Sequence, residues 1–388
     1  MSDSLPRQLR RLCWASFSAL LWLGAPANAR AAGGLGAVDS ASANPSVVDP
    51  ADENLPPYHH SLFSWEHTLN AATLGVGATP QSADPTYTMG LVAKTRWYFL
   101  DDFEVGRHFS LRLDGGLYSE LTNNDFTTRR GEWTFSDTTL SSVYSHRLRG
   151  RSDRDGTLLE LRPLTLELPT SKVSYESGRY FGAGALIGIN QVTPWLVGKV
   201  DPPILSTLRL AVGYAHNFAR ATVPTNETLE RVRLTPDGRT LPGDALSGSA
   251  LVRDVLDFSV RLRLELGKSL LWTTDAAVAP SWKYAVQRDV QLCGVVQTGC
   301  SDVQLAEDDT RYLVRTQFST EFSLRIARAF SVELGYANLA AQIGPDGRRR
   351  GFFNSPAAIF YTSLSFFPHE LASSAKQTAA SASAPSTL

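Results

Sequence analysis

The chain has 388 residues, 43% of them hydrophobic and 19% charged, which is too apolar for a chain disordered throughout and long enough for one large domain or two ordinary ones. Its 37 basic and 38 acidic residues leave a formal charge of −1, so no global field recruits nucleic acid or an anionic surface.

The N-terminus reads as an export signal. Basic "RQLRR" precedes the apolar run "LCWASFSALLWLGA", and Ala27, Asn28 and Ala29 supply the small-x-small pattern cut by a signal peptidase, which predicts a cleaved signal peptide over 1–29. Residues 30–60 are small, polar and proline-bearing and predict a flexible lead-in; residues 369–388 predict a disordered Ala/Ser-rich tail. The body, 61–368, contains no apolar run approaching the roughly 20 residues of a spanning helix. After signal removal two cysteines remain, Cys293 and Cys300 in "LCGVVQTGC", and they predict a disulfide formed outside the cytoplasm.

The body alternates with period two. Strands are expected from near Phe63, Thr86, Arg107, Trp133, Thr157, Tyr180, Thr207, Val255, Leu270, Arg311, Phe330 and Ala357, twelve in all with a margin of two. In "VLDFSVRLRLELGKSLLW", Leu256, Phe258, Val260, Leu262, Leu264 and Leu266 share one face, and Asp257, Arg261, Arg263 and Glu265 share the other. The polar face elsewhere carries Lys94 and Arg96, then Arg112, Asp114 and Glu120, and later Arg315, Glu321 and Arg325. Runs of about 10 residues are what a tilted strand needs to cross a bilayer, whereas sandwich strands are shorter. Tight connectors such as "DDFEVG", "GKS" and "ARA" follow even strands, and long ones follow odd strands; "RLRGRSDRDG" and "TPWLVGKVDPP" blur this alternation. Tyr87 with Trp97, and Trp272 with Trp282, are spaced to stand at the two edges of an apolar band about 25 Å tall.

Together with the aromatic-rich last strand "AAIFYTSLSFF", these features resemble a Gram-negative outer-membrane β-barrel of the porin or transporter kind. The resemblance implies an all-β, antiparallel, up-and-down transmembrane barrel of about twelve strands, with both termini periplasmic and outer-membrane lipid and lipopolysaccharide as surroundings. In such barrels a terminal aromatic residue guides assembly; here Phe366 and Phe367 are followed by further chain.

The charged inner face predicts a narrow channel or transporter for small polar or anionic solutes. Two alternatives stay open: a structural or surface-recognition barrel whose charges pair and plug the lumen, and an outer-membrane enzyme with an unrecognised site. No catalytic motif supports the last. "GKS" lacks the first glycine of a phosphate loop, and His216 in "YAHNFARA" has no serine placed beside it. His59 and His60 read as a solvated pair rather than a metal site, and Arg348 to Arg350 as a candidate lipopolysaccharide contact. No cofactor and no nucleic-acid partner are expected, and the oligomeric state is not specified.

Overall fold

The computed structural model describes residues 58, 60–70, 87–102, 107–122, 131–152, 155–171, 174–175, 178–195, 204–220, 222, 232–234, 240–242, 250–267, 269–285, 291–293, 300–302, 311–341, 349–355 and 358–371. The signal region 1–29, nearly all of the lead-in and the tail beyond Leu371 lie outside them. Among the described residues twelve long strands form one sheet: β1 (Leu62–Asn70), β2 (Tyr87–Asp102), β3 (Arg107–Glu120), β4 (Thr138–Ser152), β5 (Asp155–Leu168), β6 (Arg179–Trp195), β7 (Ile204–Ala219), β8 (Val252–Leu266), β9 (Leu270–Lys283), β10 (Tyr312–Ala327), β11 (Phe330–Ala341) and β12 (Ile359–Phe366).

Each strand pairs antiparallel with its neighbours in sequence, and β1 closes the ring against β12 from Phe63↔Phe366 to Asn70↔Ile359. Closure joins the last strand to the first, so the antiparallel ladder runs around the whole ring without a free edge strand. Connectors after even strands span two to eight residues, and those after odd strands span 10 to 32. Both ends of the barrel sequence, Leu62 and Phe366, therefore lie at the short-turn end.

Three boundaries differ from the sequence expectation. Trp133–Phe135 is a separate short strand laid on Leu117–Ser119, and β4 begins at Thr138. The connectors that blurred the alternation contract, because β4 and β5 stay paired out to Ser152↔Asp155 and β6 runs on to Trp195. Charged residues near strand tips had looked like loop, yet the backbone there still pairs. The paired ends of β4 and β5 require glycine on both strands: Gly150 and Gly156 face each other at φ 107° and 146°, and a Cβ on either would meet backbone oxygen at 1.9–2.0 Å.

The faces are inverted relative to a soluble protein. On β8, Phe258 and Val260 are 46% and 43% exposed, while Val255 and Glu265 on the opposite face are buried. Leu210, Ile187, Phe322 and Leu334 repeat the pattern on other strands, all exposed. Buried positions are mostly serine, alanine and charged side chains, and the buried apolar cluster among the described residues is Leu62 with Phe367. Such a surface is stable against hydrocarbon and costly against water. No described helix is long and apolar enough to cross a membrane. The tail starts as a helical turn at 368–371, tucked against the short-turn end through Phe367 N–H to Ala329 O at 2.9 Å.

An outer face in hydrocarbon predicts that Leu262→Arg costs about 2–4 kcal/mol of folding free energy in lipid vesicles. Denaturant titration of the barrel in vesicles measures it; an unchanged stability would contradict the assigned face.

Candidate functional site

The lumen is where the strands bring chemistry together. Period-two alternation sends one polar side chain inward at every second residue, and small residues between them, such as Ala211, Gly213 and Ala215 on β7, leave space. The result is a cavity of about 210 Å³ whose charged lining includes Glu66, Lys94, Arg162, Arg209, Arg261 and Asp275.

Its charges are organised in pairs. Glu160 on β5 accepts from Arg162 Nε at 2.9 Å, from Arg209 at 3.0 and 3.1 Å, and from Asn190 Nδ2 at 3.3 Å. Arg261 Nε donates to Asp275 at 2.5 Å, and Arg263 lies 3.5 Å from Glu265. Towards the long-connector end, Arg179 grips Glu167 with two hydrogen bonds of 2.8 and 3.1 Å and also contacts Asp137 and Asn217. In so buried a setting each pair offsets a desolvation cost, and removing one partner strands the other.

Opposite the arginines stands an acidic, serine-rich wall. Tyr361 OH donates to Glu321 at 2.6 Å, Ser363 Oγ donates to Glu333 at 2.6 Å, and Ser64 Oγ donates to Glu66 at 3.1 Å. Two tyrosines lie flat on this wall because glycine sits beneath them. Glu321, Gly335 and Tyr361 share a register row, as do Glu66, Gly90 and Tyr118. A Cβ on Gly335 would stand 2.1 Å from the Tyr361 ring, and one on Gly90 would stand 2.2 Å from Tyr118.

The other residues singled out in the sequence fall as follows. Lys94 and Asp114 are register partners and both line the cavity, as does Asp257. Arg96 donates to Tyr98 OH at 3.0 Å and is paired in register with buried Arg112. Glu120 is buried and accepts from Thr122 at 2.8 Å, and Arg315 is half-buried near the long-connector end of β10. Arg325 stands apart at the short-turn end, where it donates to Glu370 at 2.6 Å and to Arg328 O at 2.7 Å. It is not level with Arg263, whose row continues through Thr273 to Glu321. Of the histidine pair, His59 lies outside the described residues and His60 is half-buried, its ring 5.8 Å from Tyr98 and 6.0 Å from buried His369.

Trp272 stacks on Phe322 at 6.1 Å and donates to Thr320 at 2.9 Å near the short-turn end, where Trp97 is half-buried. Trp282 packs on Tyr312 at 5.8 Å near the other end, where Tyr87 OH meets His67 Nδ1 at 2.8 Å. The backbone of a small hairpin, Gln291–Cys293 with Cys300–Asp302, sets Cys293 opposite Cys300; their side chains are not among those described. Among the described residues no group of three or more His, Cys, Asp and Glu could hold a metal ion.

Several lumen residues were not singled out in the sequence, chiefly Glu160, Arg162, Arg209 and Asp275. Period two in "LLELRPLTLEL" does place Glu160 and Arg162 on one face, but the bulge after Arg162, beside Pro163, resets the alternation.

No protein-family model matches the sequence, and no curated protein matches it significantly. Among solved structures the chain is similar to an outer-membrane channel of Pseudomonas putida F1, at 11% identity over 82% of this chain and 99% of that one, with a TM-score of 0.44. It is also similar to the KdgM porin (8% identity, 79% and 98% covered, TM-score 0.32). The transport unit of the autotransporter AIDA-I from Escherichia coli gives 11% identity, 79% and 88% covered, and a TM-score of 0.36. These superpositions are loose. The architecture rests instead on the chain's own closed antiparallel ladder and inverted faces, which are those of a Gram-negative outer-membrane β-barrel.

The glycine seats yield a prediction. Gly335→Ala is expected to cost about 1–3 kcal/mol through overpacking against Tyr361, and Tyr361→Ala in the same chain should recover most of that cost. Thermal or denaturant unfolding of the three variants measures the coupling; additive losses would contradict it.

Proposed function

We propose that the barrel is a narrow channel of the outer membrane for small polar solutes, anionic ones among them, and that the chain reaches this membrane through a cleaved signal peptide. The observation that carries the reading is the charged cavity of about 210 Å³ inside a closed barrel whose outer face is apolar. Arginines on β5, β7 and β8 border this cavity from one side, and Glu66 on β1 borders it from the other. A solute crossing it exchanges water for fixed donors and acceptors. In this reading the short-turn end with both termini is periplasmic, the long connectors meet lipopolysaccharide, and Cys293 and Cys300 are joined outside the cell.

A second reading, a closed barrel with a structural or recognition role, is favoured by specific contacts. Glu160 is bound by two arginines, Arg261 by Asp275, and the 368–371 turn is tied across the short-turn end by Arg325. Paired charges of this kind rigidify a lumen as readily as they line a passage.

Conductance of the purified barrel in a planar bilayer separates the two. An open passage gives small, discrete steps, and the Arg162→Glu, Arg209→Glu double variant should shift ion preference towards cations. A wild type and a variant that are both inserted and both silent would contradict transport and leave the closed barrel as the account.

A further inference from the structure

The outer wall of β6–β9 carries features that the lumen does not explain. Outward positions Ile187, Ile189, Leu210, Val212, Phe258 and Val278 border an apolar groove of about 610 Å³. One wall of that groove is Phe352, which belongs to the connector between β11 and β12 rather than to the barrel. This connector is seated on the outside of the barrel by specific bonds. Asn338, at an outward position of β11, is fully buried; its Nδ2 donates to Gly351 O at 3.0 Å and Phe352 O at 2.9 Å, and Ser355 Oγ donates to its Oδ1 at 2.6 Å. Tyr336 OH donates to Phe353 O at 2.7 Å, and Phe353 packs edge-on against Phe318 at 5.0 Å. The seat holds an aromatic ledge beside the apolar groove.

A polar cluster stands on the same strands towards the long-connector end. The outward row of β7 continues from Leu210 and Val212 to Tyr214 and His216, about 7–13 Å further along the strand. His216 faces Asp254 of β8 in register, and Asp254 faces Trp282 of β9. Asp254 is held by His216 Nδ1 at 2.7 Å, by Tyr214 OH at 2.7 Å and by Arg253 Nε at 2.6 Å. Arg253 is braced over the Tyr284 ring at 6.0 Å, and its side chain remains 47% exposed. Among the described residues, Arg220 and Arg253 are the exposed charged side chains at this end of β7 and β8, and the wall below them is apolar and concave.

We propose that this wall is a binding site for one lipid A molecule of the surrounding leaflet, with an acyl chain in the groove beside Phe352 and a phosphate at Arg253. Lipid A fits because its phosphates stand directly above its acyl chains, which is the vertical order of basic rim and apolar groove here. Asp254 acts as the brace that fixes Arg253, Tyr214 and His216 rather than as a contact of the lipid. The site goes beyond the channel reading and does not depend on an open lumen. It rests on the proposed topology, in which the long-connector end faces the outer leaflet, and on the outer wall standing in lipid.

The test is native mass spectrometry of the full barrel in detergent after incubation with lipid A, phosphatidylglycerol or phosphatidylcholine. Heat-dependent gel migration confirms the fold of each variant. The wild type should retain one lipid A in preference to either phospholipid. Arg253→Glu should lower that retention roughly tenfold, the weight of about one charge-assisted hydrogen bond. Val278→Trp, which fills the groove from an already exposed position, should lower it as well. Equal retention of the three lipids, or none, would overturn the site. So would undiminished retention by Arg253→Glu, which removes the phosphate contact, or by Val278→Trp, which would leave only a basic patch. Conductance is read separately, so a silent channel that still binds lipid A would fail the transport reading and keep this one.

Discussion

Everything in this molecule depends on hydrogen-bonding the backbone where no water can do it. In hydrocarbon an unpaired N–H or C=O costs several kcal/mol, so a sheet can cross only if it has no edge. The β1–β12 ladder supplies that closure, and it dictates much else. A closed ring of alternating side chains has one face outside and one inside, so apolar residues such as Leu210 and Phe258 go outward and polar ones such as Arg209 and Asp257 go inward. The usual logic of a buried apolar core is replaced by the membrane on one side and by paired charges on the other.

That interior is crowded. Arginines and carboxylates come from nearly every strand, and their stability depends on partners supplied by other strands: Glu160 on β5 by Arg209 on β7, Arg261 on β8 by Asp275 on β9, Glu321 on β10 by Tyr361 on β12. Each bond spans one or two strands around the ring and holds its neighbours in register as the hydrophobic pattern does on the outer face. Glycines beneath Tyr118 and Tyr361 let aromatic rings lie along the wall, which keeps the remaining space for a cavity. Whether that cavity conducts is a question of how readily the pairs exchange partners with a passing solute, since the same contacts serve a passage or a plug.

The barrel was largely legible in the sequence because period two survives over long runs. β8 shows it without interruption from Leu256 to Leu266, and the long-after-odd, short-after-even order of connectors follows from up-and-down closure alone. What was not legible depends on contacts between distant segments. Glu160 and Arg162 were hidden by the bulge beside Pro163, where alternation breaks. Arg325 looked like any inward arginine, but its partner is Glu370, in a segment whose Ala/Ser-rich surroundings signal no structure. Asn338 shows the same limit on the outside. A polar residue at an outward position contradicts the pattern, and only the seating of 351–355 explains it. Trp133 marked a strand correctly and the wrong strand of the ring, because a short added strand mimics the start of β4.

The central claim is the inverted barrel itself, with water inside and lipid outside. Single cysteines placed along β8 in a background lacking Cys293 and Cys300 test it directly, in vesicles, with a water-soluble thiol reagent and with lipid-borne quenchers of a thiol-attached dye. Cysteines at Asp257 and Ser259 are expected to react with the aqueous reagent and to escape the lipid quenchers, and those at Phe258 and Val260 to do the reverse. Uniform aqueous reactivity at all four positions, or an exchange of the two patterns, would contradict the account.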